Sequence, residues 1–375
     1  MMSSGSSRSA ARLIATGFLL IGSVVLALLI GEVTVRILYP QQLGTWIFTR
    51  DGLTLHFSNH TGKSLRFGHD IQTNSFGMRD REHALKKEPS TFRILVLGDS
   101  FMEALQVKFD DSFPSLLEKQ LQKSMGRFVE VINASVSGWG TDDELTYLVR
   151  EGARFEPDLI IVAMTLHNDV SDNLVEEYHE FEDGVLVERP ISLVPWPSFA
   201  LLKIKEWLAA NSQMYQVVLR AIRSNRTSTE ADSLNSHVID LLRRAPSQHL
   251  GKGWRMTQQL FKKLLAAGSA MNARVVVVLL PLGVQVYPDA FRELLAEASI
   301  QEEELDLEAP QQVMVKFGRE VGLPIIDLLP DFRQARTRCS CSLYVESDGH
   351  WNERGHLAAT EGVVREMLRN GWVPR

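Results

Sequence analysis

Between residues 92 and 328 the chain alternates short runs of branched apolar residues with longer stretches whose apolar positions recur every three or four residues. The short runs are Ile94–Leu97, Phe128–Ile132, Leu159–Ala163, Arg274–Leu280 and Pro324–Leu328. Runs of this length, largely apolar and interrupted only by Glu130 and Asp327, predict strands buried on both faces. Phe113–Leu121 has helical spacing, with Asp110, Asp111 and Ser112 available as caps and Pro114 suited to a first turn. Thr141, followed three residues later by Glu144, predicts another helix opened by a capping box. Strands alternating with helices specify a doubly wound parallel sheet.

Three stretches depart from that alternation. Residues 1–12 are small, polar and basic, and Leu13–Gly31 then carries no charge, which is long enough for a helix to cross a bilayer. No small-x-small cleavage site follows, so the segment is expected to be an uncleaved signal anchor rather than a cleaved signal peptide or a buried helix. Arg8 and Arg12 precede it, whereas Arg36 beyond it is accompanied by Glu32, so the amino terminus is expected in the cytoplasm and the bulk of the chain on the periplasmic or extracellular side. Residues 32–90 are expected to be a connector packed on a domain edge. Within it Asn74-Ser-Phe-Gly-Met-Arg79-Asp80 stands out, and Arg79 is expected to be a structural ion-pair partner. From Asp169 to about Lys252, an acidic piece (Glu176, Glu177, Glu180, Glu182, Asp183), a Pro-rich piece (Pro190, Pro195, Pro197) and helical segments near Leu201–Leu208 and Val217–Ile222 suggest an insertion, a lid or rim in the domain spanning 91–375.

Composition narrows the class. The 375 residues, 45% hydrophobic and 23% charged, suffice for one large domain with appendages. A net charge of −6 argues against a nucleic-acid partner. The two cysteines, Cys339 and Cys341, are two apart, which suggests free thiols or a labile bridge, with intermolecular pairing as the other possibility. No His/Asp/Glu cluster has metal-ligand spacing and no phosphate-binding glycine loop occurs, so no metal or cofactor is expected.

The chemistry gathers at predicted strand ends. Ile94–Leu97 runs into Gly98-Asp99-Ser100; Phe128–Ile132 runs into Asn133-Ala-Ser-Val-Ser-Gly138; Leu159–Ala163 leads to Asn168-Asp169. The carboxyl ends of parallel strands are where α/β sheets form ligand crevices. Near the end of the chain lies Asp348-Gly-His350-Trp-Asn. A serine hydroxyl becomes a nucleophile when a histidine takes its proton and a carboxylate orients that histidine. Asp348 and His350, two apart, point the same way in extended chain. The backbone N–H groups of Ser100 and Gly138 and the side-chain amide of Asn168 are candidate oxyanion donors. His167 and His356 are expected to be structural. Trp139 and Trp351 are candidates for a sugar-binding rim or for packing.

These four blocks, in this order, resemble the SGNH (GDSL-type) hydrolase family over about Phe92 to the end of the chain. The resemblance implies a flavodoxin-like three-layer α/β/α sandwich with a parallel sheet, here with an N-terminal transmembrane helix, and the cleavage or transfer of acyl esters. It implies Ser100 as nucleophile, His350 as general base, Asp348 as its orienting acid, and Ser100, Gly138 and Asn168 as the oxyanion hole. Two positions depart from the common pattern: Leu166 stands where many members have Gly, and Asp348 is two rather than three residues before the histidine, which makes Glu346 a rival acid. Membrane-anchored relatives that handle polysaccharide acetyl groups share the Asp-x-His-Trp-Asn form. The expected activity is hydrolysis of an acyl ester, acetyl foremost, on a cell-envelope glycan or lipid. The alternatives are an O-acetyltransferase served by a membrane acyl-donor partner, and a non-catalytic scaffold.

Overall fold

The computed structural model describes residues 4–374 apart from 50–52, 65–66, 127, 176–177, 183–184, 190–192, 225–226, 340 and 347. Glu176, Glu177, Asp183 and Pro190 therefore lie outside the described residues. By its contacts the chain forms two units, Met1–Thr45 with Pro197–Thr227, and Trp46–Trp196 with Ser228–Arg375.

In the larger unit the five apolar runs form one parallel sheet. Its strands are β1 (Phe92–Gly98), β2 (Val129–Ser135), β3 (Leu159–Thr165), β4 (Arg274–Leu280) and β5 (Ile325–Asp327), in the order β2-β1-β3-β4-β5. That is the flavodoxin-like order, whose switch point falls between β1 and β3. Ile94, Leu95, Val96 and Leu97 are wholly buried because successive side chains enter opposite layers. Burying four such side chains is worth on the order of 6–12 kcal/mol, as much as the net stability of a whole domain, so β1 cannot slip in register.

One layer receives Leu95, Leu97, Ile160, Val162, Val277 and Leu279; it is closed by α4 (Thr141–Arg150), α7 (Gln248–Ala270) and α8 (Ala309–Val321). The other receives Ile94, Val96, Ile161 and Val278 and is closed by α3 (Phe113–Met125), the helix Leu329–Cys339 and α9 (Glu353–Arg369). The fold is thus an α/β/α sandwich. Helix α4 begins at Thr141, but its cap differs from the expected box. Gly140 is the N-cap, and its N–H donates to Asp143 Oδ2 (3.0 Å), while Glu144 is buried. The acid that reaches back is Asp143, one position earlier than expected, because the N-cap is Gly140 rather than Thr141.

The smaller unit holds α1 (Ser4–Leu38), α5 (Trp196–Asn211) and α6 (Gln213–Ser224). Among the described residues α1 is the one helix long and apolar enough to cross a membrane, over Ala15–Leu38, with mean hydropathy 2.4. It runs seven residues past Gly31, where the charge-free stretch ends. Glu32 and Arg36, one turn apart, neutralise each other at 2.7 Å and let the helix continue. The stretch expected to be one insertion is composite. It contains a hairpin, His179–Glu182 with Val185–Glu188, then α5 and α6, then Thr227–Leu242 and the start of α7. Cys339 and Cys341 are joined in a disulfide.

Candidate active site

Strand β1 ends at Gly98, and the next residue, Asp99, caps a single turn of helix, α2 (Ser100–Glu103), by accepting the Phe101 N–H at 2.9 Å. Ser100 is thereby the first residue of a helix at a strand's carboxyl end, with its hydroxyl clear of the sheet. Gly98 permits the tight turn: a Cβ there would sit 2.6 Å from Met102 Cγ. From the far end of the chain, His350 Nε2 meets Ser100 Oγ at 2.7 Å, and His350 Nδ1 meets Asp348 Oδ1 at 2.8 Å. Asp348 Oδ1 also accepts the His350 N–H at 3.1 Å, which locks the two-residue spacing. Half-burial pushes the Asp348 carboxyl up, but the side-chain and backbone hydrogen bonds from His350 outweigh this and hold it below the ordinary carboxylate range. Glu346, the rival acid, is exposed. The Phe101 ring lies 4.8 Å from the imidazole, covering one side of it.

The other two predicted residues lie at neighbouring strand ends. Gly138 sits exposed at the tip of the turn after β2 with φ +86°, a backbone conformation for which glycine is suited. Asn168 follows β3 and caps the short helix Asp169–Asp172, and its side chain faces the Asp99 carboxyl. Burial pushes Asp99 up, against the pull of the Phe101 N–H and the Thr165 and Asn168 side chains. Behind it Glu144 is pushed well up by burial and then by the charges of Asp99 and Asp143, Asp169 by burial and then by those of Glu144 and Asp99, and Asp172 is pushed up to about 6. Below the serine, burial and crowding thus disfavour the charged forms of these acids.

Several supporting residues were not foreseen from the sequence. Glu103, at the end of α2, is wholly buried; it pairs with His56 Nε2 at 2.8 Å and accepts the Ser137 N–H at 2.7 Å and the Ser137 hydroxyl. It therefore ties the serine's helix to the loop that carries Gly138. Arg79 is no simple ion-pair partner. Its guanidinium donates to the carbonyls of Glu103 (2.8 Å), Ala104 and Val107 (2.7 Å), closing the carboxyl end of α2. Asp80 Oδ2 accepts the Asn133 N–H at 2.7 Å, and the Asn133 amide donates to Arg79 O and Met102 O. A carboxylate three residues after Ser100 was the available signal for Glu103; nothing in the pattern marks His56.

The remaining expectations divide. His356 is buried, accepts the Phe113 N–H at 3.2 Å, and is pushed down to about 3 by burial, so it is structural as expected. Trp139 and Trp351 are both buried, with Trp139 Nε1 donating to Thr54 O, so they pack and form no rim. His167 lies edge-on to Phe101 and is pushed down to about 4 by burial and by His350. It lines a cavity of about 1010 Å³ bordered by Phe101 and Gly349, the neighbours of Ser100 and His350, with Leu282, Val284, Leu294 and Tyr287 among its walls. Among the described residues no group of three or more His, Cys, Asp or Glu side chains is arranged to hold a metal.

Comparisons with known proteins follow the same lines. An arylesterase from Vibrio mimicus is 38% identical over 72 residues, 19% of this chain and 36% of that protein, so the chain spans about a third of the length of this curated relative. Solved structures are more distant. The crystal structure of TesA is 15% identical with TM-score 0.39, covering 74% of this chain and 98% of its own. An α/β hydrolase enzyme from the metagenome of Lake Arreo is 11% identical with TM-score 0.42 (78% and 99%). An acetylxylan esterase from Geobacillus stearothermophilus is 10% identical with TM-score 0.40 (73% and 93%). The span from residue 96 to residue 358, more than half of the sequence and the stretch in which serine, histidine and aspartate meet, matches the GDSL-like lipase/acylhydrolase family, and the chain belongs to that family.

Proposed function

We propose that this protein is a serine ester hydrolase that removes an acyl group from a cell-envelope glycan or lipid, held at the membrane by α1 with its amino terminus in the cytoplasm. The observation that carries the reading is the unbroken relay Ser100 Oγ, His350, Asp348, at 2.7 and 2.8 Å. The Ser100 hydroxyl donates to His350 Nε2, and on attack at the ester carbonyl the proton passes to that nitrogen. Asp348 holds the other ring nitrogen protonated and stabilises the imidazolium. The N–H groups of Ser100 and Gly138 and the Asn168 amide receive the carbonyl oxygen as it becomes an oxyanion. His350 then returns the proton to the leaving alcohol, and water repeats the sequence on the acyl-serine.

The cavity beside Phe101 and Gly349 supports a substrate larger than an acetyl group alone, since its volume reaches the upper range of small-molecule sites and its walls are largely apolar. The test is release of nitrophenol from p-nitrophenyl esters of increasing acyl length by wild type and Ser100→Ala, with an oligosaccharide acceptor present or absent. Turnover by wild type that is lost in a folded Ser100→Ala protein supports the reading. Acylated oligosaccharide detected by mass spectrometry replaces hydrolysis with transfer, and turnover that survives in Ser100→Ala sinks the serine mechanism.

A further inference from the structure

The smaller unit carries a polarity that is reversed from that of a helix pair in water. In α5 no residue is buried, and the large apolar residues Leu201 (54% exposed), Ile204 (56%) and Trp207 (63%) turn outward three apart, with Lys205 exposed at the edge of their stripe. Val218 and Ile222, one turn apart on α6, are about half exposed as well. Glu206, paired with Lys203 at 2.8 Å, turns away from that stripe, its side chain only 9% exposed. A helix against a water-covered surface puts its apolar stripe inward and its charges outward.

The same unit fixes where this apolar face sits along α1. Glu32 accepts hydrogen bonds from Ser212 Oγ (2.8 Å), Gln213 N (2.9 Å) and Met214 N (3.1 Å), so its carboxylate fills the exposed amides at the start of α6. Arg36 donates to Asn211 O (2.6 Å), the carbonyl end of α5. Gly31 admits Met214 so closely that a Cβ would lie 2.9 Å from its sulfur. Further along, Gln41 N donates to Gln213 Oε1 (3.0 Å) and Gly44 N to Ala209 O (2.9 Å). The turn between α5 and α6 is therefore bound to the end of α1 and the segment that follows it, over residues 31–44.

The charge-free part of α1, Leu13–Gly31, is about 28 Å long, close to a hydrocarbon core of about 30 Å. Its last turns reach headgroup level, the depth at which Glu32 and Arg36 hold the α5–α6 turn. We propose that α5 and α6 lie in the membrane interface with Leu201, Ile204, Trp207, Val218 and Ile222 among the lipids, a second membrane contact beside the spanning helix. This rests on the reading of α1 as a membrane anchor. Lipid is the occupant because the depth set by Glu32 and Arg36 places the face there before any protein partner arrives, and tryptophan favours that zone.

The test uses the full chain in phosphatidylethanolamine/phosphatidylglycerol vesicles. Ile204→Cys, or Leu201→Cys should the first misfold by circular dichroism, carries an environment-sensitive fluorophore, and Leu26→Cys in α1 carries the same label as a reference. Cys339 and Cys341 are bridged and stay unlabelled without reductant. The expected result is about a two-fold or greater loss of emission at residue 204 with lipids spin-labelled near the headgroup, and quenching at residue 26 by lipids labelled deep in the acyl chain. Quenching at 26 with only aqueous iodide quenching at 204 overturns the interfacial reading and leaves the anchor standing. A label at 204 shielded from both lipid and iodide shows that protein covers the face, which also overturns it. Absence of lipid quenching at both positions overturns anchor and interface together.

Discussion

A carboxylate beside an imidazole does two things for a serine: it chooses which ring nitrogen keeps its proton, and it makes the charged ring affordable in a half-buried place. In the proposed mechanism Asp348 does both through a single oxygen that takes the ring N–H and the backbone N–H of the same histidine. Asp348→Asn keeps the shape and reverses the first effect, since the amide donates to Nδ1 and forces the proton onto Nε2, where it faces the serine hydroxyl. The expected outcome is a fall in kcat of about 10³–10⁴-fold with little change in thermal unfolding. Glu346→Gln is expected to change kcat less than about two-fold, because the exposed Glu346 side chain is worth little at range; steady-state hydrolysis of a p-nitrophenyl ester separates the two. A larger loss for Glu346→Gln than for Asp348→Asn reverses the assignment. Ser100, Gly138 and Asn168 were legible because each follows a hydrophobic run, and Asp348 and His350 because they stand two apart. His56 and Arg79 were not, because they lie in a segment without periodicity and act on groups more than twenty residues away.

At the level of elements, the final helix holds the terminal block in place. Asn352 caps α9 by accepting from Arg354 N (3.0 Å) and Gly355 N (3.2 Å), and its amide donates to Ser342 O (2.9 Å) and Tyr344 O (3.3 Å). One side chain thus ties the helix start to the segment that enters the loop bearing Asp348 and His350. Asn352→Ala is expected to cost about 1–2 kcal/mol, read from the urea midpoint, and to lower kcat about ten-fold by loosening that loop. Unchanged activity together with lowered stability would show that the cap does not position the histidine. The strands were legible from their branched residues, which have one way to be buried on two faces. Helix starts were less so: the cap of α4 fell on Gly140, whose role depends on a turn conformation that side-chain pattern does not encode.

Across the larger unit, protons retained by the fold set the response to pH. Burial pushes His83 down, but the carboxylates of Asp80 (2.9 Å) and Glu130 (2.6 Å) outweigh it and raise it to about 9. Its contribution is complete below an unfolded value near 6.5 and is lost as pH climbs through 9. Asp99, Glu144 and Asp169, also raised, pull the same way: the unfolded chain releases their protons more readily, so rising pH favours unfolding. On the acid side the depressed His167 and His356 and the depressed carboxyls of Glu103, Glu130 and Asp348 lower stability as pH falls, while the raised acids oppose them. Urea unfolding at pH 6.5 and 9 is expected to show lower stability at pH 9, with His83→Gln removing about 2–3 kcal/mol of the difference. An identical difference in the variant means that another group carries the effect.

The imidazole and the guanidinium that close the helix of Ser100 come from residues 56 and 79, upstream of residue 96, where the family match begins. A chain started at residue 91 would keep every motif yet leave the Glu103 carboxylate and three backbone carbonyls in the interior without the donors that meet them. The shortest stable body is therefore expected to be set by closure of buried polar groups rather than by motif, and to start no later than the strand Thr54–His56.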